Sequence, residues 1–320
     1  MSDLRLSDPV TLISSDSFTP DEIARIEVVA PALRAGTKEA RAALPADQRA
    51  SIKAIANKGH RAIDGAQMDL FPNLKLIAQF GVGYDAIDVA AATARGIKVT
   101  NTPDVLNEDV ADLAVAMMLG WARQIPQGDA WVRNGTWASG RELPLNRKMS
   151  GAKVGIAGMG RIGRAIADRL AAFNMEVHYC SRGEKDTPGW TYHTDVVALA
   201  AAVDWLVVAV VGGDSTRGYV SRAAIEALGP QGVVINIARG TCIDEEALIE
   251  ALQQGKIAGA GLDVFYNEPH VDARLIAMDN VLLQPHQASS TVETRRDMSM
   301  AQCANLAAFF AGEALITPVN

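Results

Sequence analysis

Two α/β domains with parallel sheets are the architecture the sequence predicts, and three observations predict it. Short apolar runs alternate with helical stretches along most of the chain, the pattern of repeated strand–helix–strand units. A glycine turn, Gly158-Met159-Gly160-Arg161-Ile162-Gly163, stands between an apolar run and a helical one. The length, 320 residues, exceeds what one hydrophobic core normally serves.

Taken in order, Val10–Ile13, Ile52–Ile55, Leu74–Phe80 and Ile97–Val99 read as buried strands. Helices over Asp21–Arg34 and Ile87–Arg95 fall between them, with Asp88 as the N-cap of the second. Asn101-Thr102-Pro103 then breaks the alternation and sets a hinge near residue 100, because proline lacks an N–H and restricts its predecessor. The segment from about Asn107 to Arg133 follows. Its stretch Val110–Trp121 is apolar nearly all round, so it must be buried on more than one side, within the fold or against a partner. Arg141–Lys148 is a polar connection into the glycine unit. Beyond that unit, strands are predicted over Trp205–Val211, Val233–Ile237, Ile257–Leu262 and Val281–Leu283, and helices over Ser221–Leu228 and Glu245–Gln253. One long helix, Thr291–Ala311, ends the chain, with a second hinge near 290.

The glycine unit runs Val154–Ala157, glycine turn, helix Arg164–Phe173, strand Glu176–Cys180, the order of a dinucleotide-binding unit. Gly158 permits a sharp turn, Gly160 a close approach of backbone N–H groups to a pyrophosphate, and Gly163 tight packing of helix on strand. The helix start, Arg161-Ile162, offers free N–H donors and a positive dipole end to the anion. Where NAD sites usually carry Asp or Glu for the ribose hydroxyls, this chain has Ser181-Arg182, with Lys185 shortly after. These groups suit a 2′-phosphate, so NADP(H) is preferred, with NAD(H) possible. The plainer alternative is a solvated basic turn on an NAD protein.

Composition excludes several classes. A formal charge of −7 argues against a nucleic-acid footprint or a polybasic membrane anchor. Cys180, Cys242 and Cys303 lack CxxC spacing, which argues against a thiolate zinc site and a disulfide framework and favours reduced cytoplasmic thiols. Met1–Arg5 shows no signal-peptide core, and no apolar run approaches the ~20 residues of a membrane span.

Arg239, Asp263, Glu268 and His286 each follow a predicted strand, and ligands of open α/β sheets sit outside the carboxyl ends of strands. Singly, each has a bland reading: a surface ion pair, a helix cap, a turn residue and a satisfied loop histidine. Together they favour a catalytic cluster near the nicotinamide end of a cofactor. His60, His178, His193 and His270 lack such a context and read as structural or surface groups.

The motifs Phe80-Gly81-Val82-Gly83-Tyr84-Asp85, Asn101-Thr102-Pro103, Val110-Ala111-Asp112-Leu113, Gly158–Gly163, Ala238-Arg239-Gly240, Gly261-Leu262-Asp263-Val264-Phe265, Asn267-Glu268-Pro269 and Pro285-His286 occur in one order across nearly the whole chain. On them the chain resembles the D-isomer-specific 2-hydroxyacid dehydrogenase family, in its glyoxylate/hydroxypyruvate and hydroxyphenylpyruvate reductase branch. The resemblance implies two Rossmann-like domains with parallel sheets, the substrate domain being discontinuous. Residues 1–100 plus 288–320 would bind substrate. Residues 101–287 would bind the dinucleotide and include a dimerisation arm near 107–145, making a homodimer. Val82-Gly83 would offer N–H groups to the substrate carboxylate. Arg239 would bind that carboxylate and the reacting carbonyl, and His286, backed by Glu268, would be the acid/base. Ala238 and Asp263 would border the nicotinamide, Asp263 holding its carboxamide. The implied reaction is reduction of a small 2-oxoacid to the D-2-hydroxyacid with no metal, after closure about the hinges. From their position after the arm, Trp137 and Arg141 are candidates for the pocket around the substrate tail, contributed by their own chain or by a partner. Two departures stand out: Ala288 replaces a frequent glycine, and Val211–Thr216 replaces a Pro-x-Thr stretch on the adenine side. Rival readings are an NAD-linked D-lactate or 3-phosphoglycerate dehydrogenase, and a non-catalytic nucleotide-sensing dimer.

Overall fold

The computed structural model describes residues 9–59 and 62–320, so the reading of the first five residues and of His60 lies outside the described part. The chain divides into two compact units, Met1–Leu106 with Ser290–Asn320, and Asn107–Ser289.

The first unit is built on five parallel strands: β1 (Thr11–Ile13), β2 (Ala32–Arg34), β3 (Ala54–Lys58), β4 (Leu76–Phe80) and β5 (Lys98–Thr100). Their order is β2-β1-β3-β4-β5, so the direction of winding reverses between β1 and β3. The helix expected over Asp21–Arg34 runs only from Pro20 to Val29, behind a Thr19–Glu22 capping box. Pro31 follows, and the rest of that span becomes β2. The last helix, Val292–Ala311, packs back on this unit, where Gln302 Nε2 donates to the carbonyls of Asn57 (3.0 Å) and Ala78 (2.7 Å). One chain end therefore covers a sheet built by the other, which is what makes the unit discontinuous.

The second unit carries seven parallel strands: β6 (Lys153–Ala157), β7 (Glu176–Cys180), β8 (Thr191–His193), β9 (Trp205–Val208), β10 (Val233–Asn236), β11 (Gly259–Leu262) and β12 (Val281–Leu283). The order β12-β11-β10-β9-β6-β7-β8 puts the switch point between β6 and β9. Strands covered on both faces are apolar along their buried length, which is why Val154–Ala157 of β6, all of β9 and Val233–Ile235 of β10 read as apolar runs. The helix Asn107–Ala122 answers the question of its all-round apolarity within the unit: Met117 and Met118 are buried, and it lies against β11, whose Gly259 and Gly261 leave room for Trp121 and Met117. Trp121 Nε1 donates to the Asn280 carbonyl at 2.8 Å. The apolar groups left over come afterwards. The helix Ile125–Arg133 buries no residue, Trp137 is 66% exposed and Leu145 99%.

Candidate active site

The glycine turn leaves β6 at the switch point. A Cβ on Gly158 would lie 2.6 Å from the Ala209 carbonyl oxygen at the end of β9, and one on Gly163 would lie 1.9 Å from the Gly158 oxygen. Both glycines are therefore demanded by packing. Gly160 differs: nothing lies within 4 Å of its Cβ position. The helix Arg161–Ala172 begins there with neither a side-chain cap nor an acid in its first turn, so its N–H groups and dipole are unanswered within the helix. An open hollow before an uncapped helix fits a pyrophosphate.

At the end of β7 the chain folds back compactly. Tyr179 Oη accepts from Lys185 N at 2.8 Å and donates to Lys185 O at 3.1 Å, and Ser181 Oγ donates to Gly183 O at 2.6 Å. The Ser181 hydroxyl thus closes the turn itself. Arg182 and Lys185 are exposed and form no ion pair among the described residues. The basic character expected here rests on these two. Cys180 Sγ meets Tyr219 Oη at 3.2 Å, joining this turn to the segment that follows β9, and burial raises the tyrosine's pKa.

At the carboxyl ends of β10, β11 and β12 the four expected groups are close in the fold. His286 Nδ1 donates to Glu268 Oε2 at 2.7 Å, the carboxylate fixing which ring nitrogen carries the proton. Glu268 Oε1 accepts from Phe265 N at 3.0 Å, so the carboxylate is aimed before any ligand arrives. Both side chains are about one quarter exposed, 28% and 24%. His286 itself sits at φ 50°, a left-handed conformation held by its N–H to the Asp263 carbonyl at 2.8 Å. Asp263 is 0% exposed. Its oxygens accept from Gln287 N (2.8 Å) and Ala288 N (3.1 Å), so it clamps the histidine loop. Burial pushes its carboxyl up, against those two N–H groups and the nearby imidazole. Arg239 is half-buried, with Nη1 donating to Ala238 O at 2.7 Å. Its turn is held by Asn236, which accepts from Ala238 N and donates to Arg239 O. Gly240 presses this turn on the next: a Cβ there would lie 1.9 Å from the Phe265 carbonyl carbon.

In the first unit, Gly81–Gly83 leave β4 with every carbonyl occupied. Gly81 O accepts from Thr102 N (3.0 Å), Val82 O from Asn101 Nδ2 (2.9 Å) and Gly83 O from Gln79 Nε2 (3.2 Å). The N–H groups of Val82 and Gly83 have no partner among the described residues. Sequence reasoning missed the anchors Gln79, Asn101 and Thr102, although Asn101-Thr102 lay inside a motif already noted.

A doubly wound sheet with an anion-ready glycine turn, and a histidine–carboxylate pair with an arginine at strand ends farther along, defines a dinucleotide-linked oxidoreductase. The sequence signature of the D-isomer specific 2-hydroxyacid dehydrogenase NAD binding domain matches residues 115–288. The chain belongs to the D-isomer-specific 2-hydroxyacid dehydrogenase family. It is 45% identical over 287 residues to glyoxylate/hydroxypyruvate reductase A of Arabidopsis thaliana, covering 90% of this chain and 91% of that one. It is 44% identical over 272 residues to hydroxyphenylpyruvate reductase of Plectranthus scutellarioides, covering 85% and 87%. Its fold is similar to that of the NADPH-dependent glyoxylate/hydroxypyruvate reductase of Sinorhizobium meliloti, solved with NADP and malonate, with TM-score 0.93, 44% identity and coverage of 98% and 97%.

Proposed function

We propose that this protein reduces a small 2-oxoacid of the glyoxylate or hydroxypyruvate type to the D-2-hydroxyacid, using NADPH in preference to NADH. The carrying observation is the His286–Glu268 pair on the same sheet edge as the glycine turn. The names of the Arabidopsis and Sinorhizobium relatives support the substrate class, and the Sinorhizobium complex supports NADP.

Gly158, Gly160, Gly163 and the N–H groups of Arg161 and Ile162 hold the pyrophosphate, with Ala238 and the Asp263 loop bordering the nicotinamide. Arg182 and Lys185 take the 2′-phosphate; Ser181, whose hydroxyl is spent on Gly183, shapes the turn. The bound nicotinamide supplies the hydride that reduces the 2-oxo carbon. Val82 and Gly83 present N–H groups to the substrate carboxylate, since their carbonyls are already tied back. Arg239 stabilises the negative charge that develops on the carbonyl oxygen. His286, with Nδ1 given to Glu268, delivers its proton from Nε2. Asp263 keeps the histidine loop in register through Gln287 and Ala288.

Residues 1–100 with 288–320 form the substrate-binding part in this reading, and 101–287 the dinucleotide-binding part. The protein acts as a homodimer. The uncovered Val132, Trp137 and Leu145 meet a second copy, as does a cavity of about 450 Å³ lined in part by Trp121, Trp131, Leu143 and Leu282. Three free, buried cysteines suit the reducing cytoplasm.

The test is a panel of 2-oxoacids with NADPH and NADH on wild type and His286→Ala. Loss of acid catalysis should lower turnover by about 10²–10⁴-fold, with NADPH affinity kept. Unchanged turnover removes His286 from the reaction.

A further inference from the structure

Arg295 carries a charge that no acid touches among the described residues. It lies in the first turns of the helix Val292–Ala311, half-buried, with its guanidinium carbon 5.8 Å from the centre of the Phe80 ring. Its side chain makes one hydrogen bond among the described residues, Nη2 to Ser290 Oγ at 2.6 Å, and no ion pair among them. The other cation on the same ring is Lys58, 4.7 Å from the Phe80 centre, and it is neutralised by the buried Glu22 at 2.6 Å. Glu22 is in turn held by Thr19 N. Phe80 thus stands between a closed ion pair and a guanidinium with no acid in direct contact, since Glu22, already bonded to Lys58, attracts it only through space. A guanidinium has five N–H donors in a plane. Phe80 lies near the guanidinium and Ser290 takes one donor, so in-plane donors are left for an oxygen ligand. Drawing a cation partly out of water without an acid is costly unless a partner arrives to offset it.

The position says which partner. Phe80 ends β4, Lys58 ends β3 beside it in register, and both lie at the carboxyl edge of the sheet. Just beyond Phe80 stand Val82 and Gly83, whose N–H groups take the head carboxylate in the reading above, while the Gly81 N–H is given to Thr102 Oγ1 at 2.9 Å.

We infer that Arg295 is a specificity-determining residue that receives an anionic tail of the 2-oxoacid, so that acids with a second carboxylate are favoured over hydroxylated tails, and those over no tail. This rests on the proposed reduction and on the Val82-Gly83 site. The competing role is mechanical: Arg295 merely braces Phe80.

Steady-state reduction of oxaloacetate, hydroxypyruvate and glyoxylate with NADPH separates the two, using wild type, Arg295→Gln and Arg295→Lys. Loss of a desolvated charge pair should lower kcat/KM for oxaloacetate by about 30-fold or more in the Gln variant. Hydroxypyruvate should fall by less and glyoxylate by no more than about threefold, and Lys should recover part of the loss by keeping the charge. An equal loss on all three acids, no loss on any, or a wild type that reduces glyoxylate but is inert toward oxaloacetate overturns the assignment. Titration of malonate into each protein distinguishes this from failure of the reductase reading. A wild type that turns over no acid, yet binds malonate more tightly than Arg295→Gln, keeps the anion site and rejects the reaction; equal malonate affinity rejects the site.

Discussion

The three glycines of the turn look alike in sequence, yet the structure gives them opposite consequences, and a pair of substitutions reads this out. Gly160 has φ −85° and ψ −163°, backbone that any residue adopts, and its Cβ position has no atom within 4 Å. Gly160→Ala should therefore cost folding no more than the change of an N-cap from glycine to alanine, under about 1 kcal/mol. The added methyl occupies the hollow in front of the helix, where a phosphate oxygen would sit. Losing one charge-assisted hydrogen bond costs about 1.5–3 kcal/mol, or roughly 10- to 150-fold in Kd for NADPH. Gly163→Ala puts carbon 1.9 Å from the Gly158 oxygen, so the helix must withdraw by about 3.4 − 1.9 = 1.5 Å to restore ordinary contact. Overpacking of that kind costs about 1–3 kcal/mol or more in stability. Thermal unfolding followed by titration with NADPH should show Gly160→Ala melting near wild type but binding poorly, and Gly163→Ala melting low. A Gly160→Ala protein that binds NADPH with wild-type affinity would refute the assignment of the hollow to the pyrophosphate.

Gly240→Ala forces the Arg239 turn off the Phe265 backbone, and a displacement near 1 Å in a reacting constellation costs about 10²-fold. Its kcat/KM on glyoxylate should fall by that order while NADPH affinity holds; a loss under threefold would show that the turn has slack. Arg182→Ala should raise KM for NADPH far more than for NADH, and equal effects on both would reject the 2′-phosphate role. Replacing Trp137 and Leu145 together by serine should shift sedimentation from dimer toward monomer with little change in melting temperature. A monomeric wild type defeats the dimer.

Much of the fold was legible because parallel strands covered on both faces leave a local mark, an unbroken apolar run. Apolar runs placed β1, β3, β4 and β5 in the first unit and β6 and β9–β12 in the second, and with them the strand ends bearing Arg239, Asp263, Glu268 and His286, while β7 was placed by closing the glycine unit. The elements missed lack that mark. Ala32–Arg34 is three residues at the sheet edge, and Thr191–His193, at the opposite edge of the other sheet, is half-exposed. His178, read as a structural or surface group, stacks on His193 and meets it at 3.0 Å only because β7 and β8 pair in that register.

The order of elements, the glycine turn and the residue types at strand ends were determined by the sequence alone, since each depends on neighbours a few positions apart. Tertiary structure decided which groups are aimed and which are spent. Asn101 and Gln79 tie back the carbonyls of Val82 and Gly83, Asp263 clamps the histidine loop, and the Ser181 hydroxyl turns inward. Apart from the Ser181 turn and the Gln79–Gly83 bond, which close over a few residues, those bonds join segments brought together by strand register and loop packing, and no local pattern encodes them.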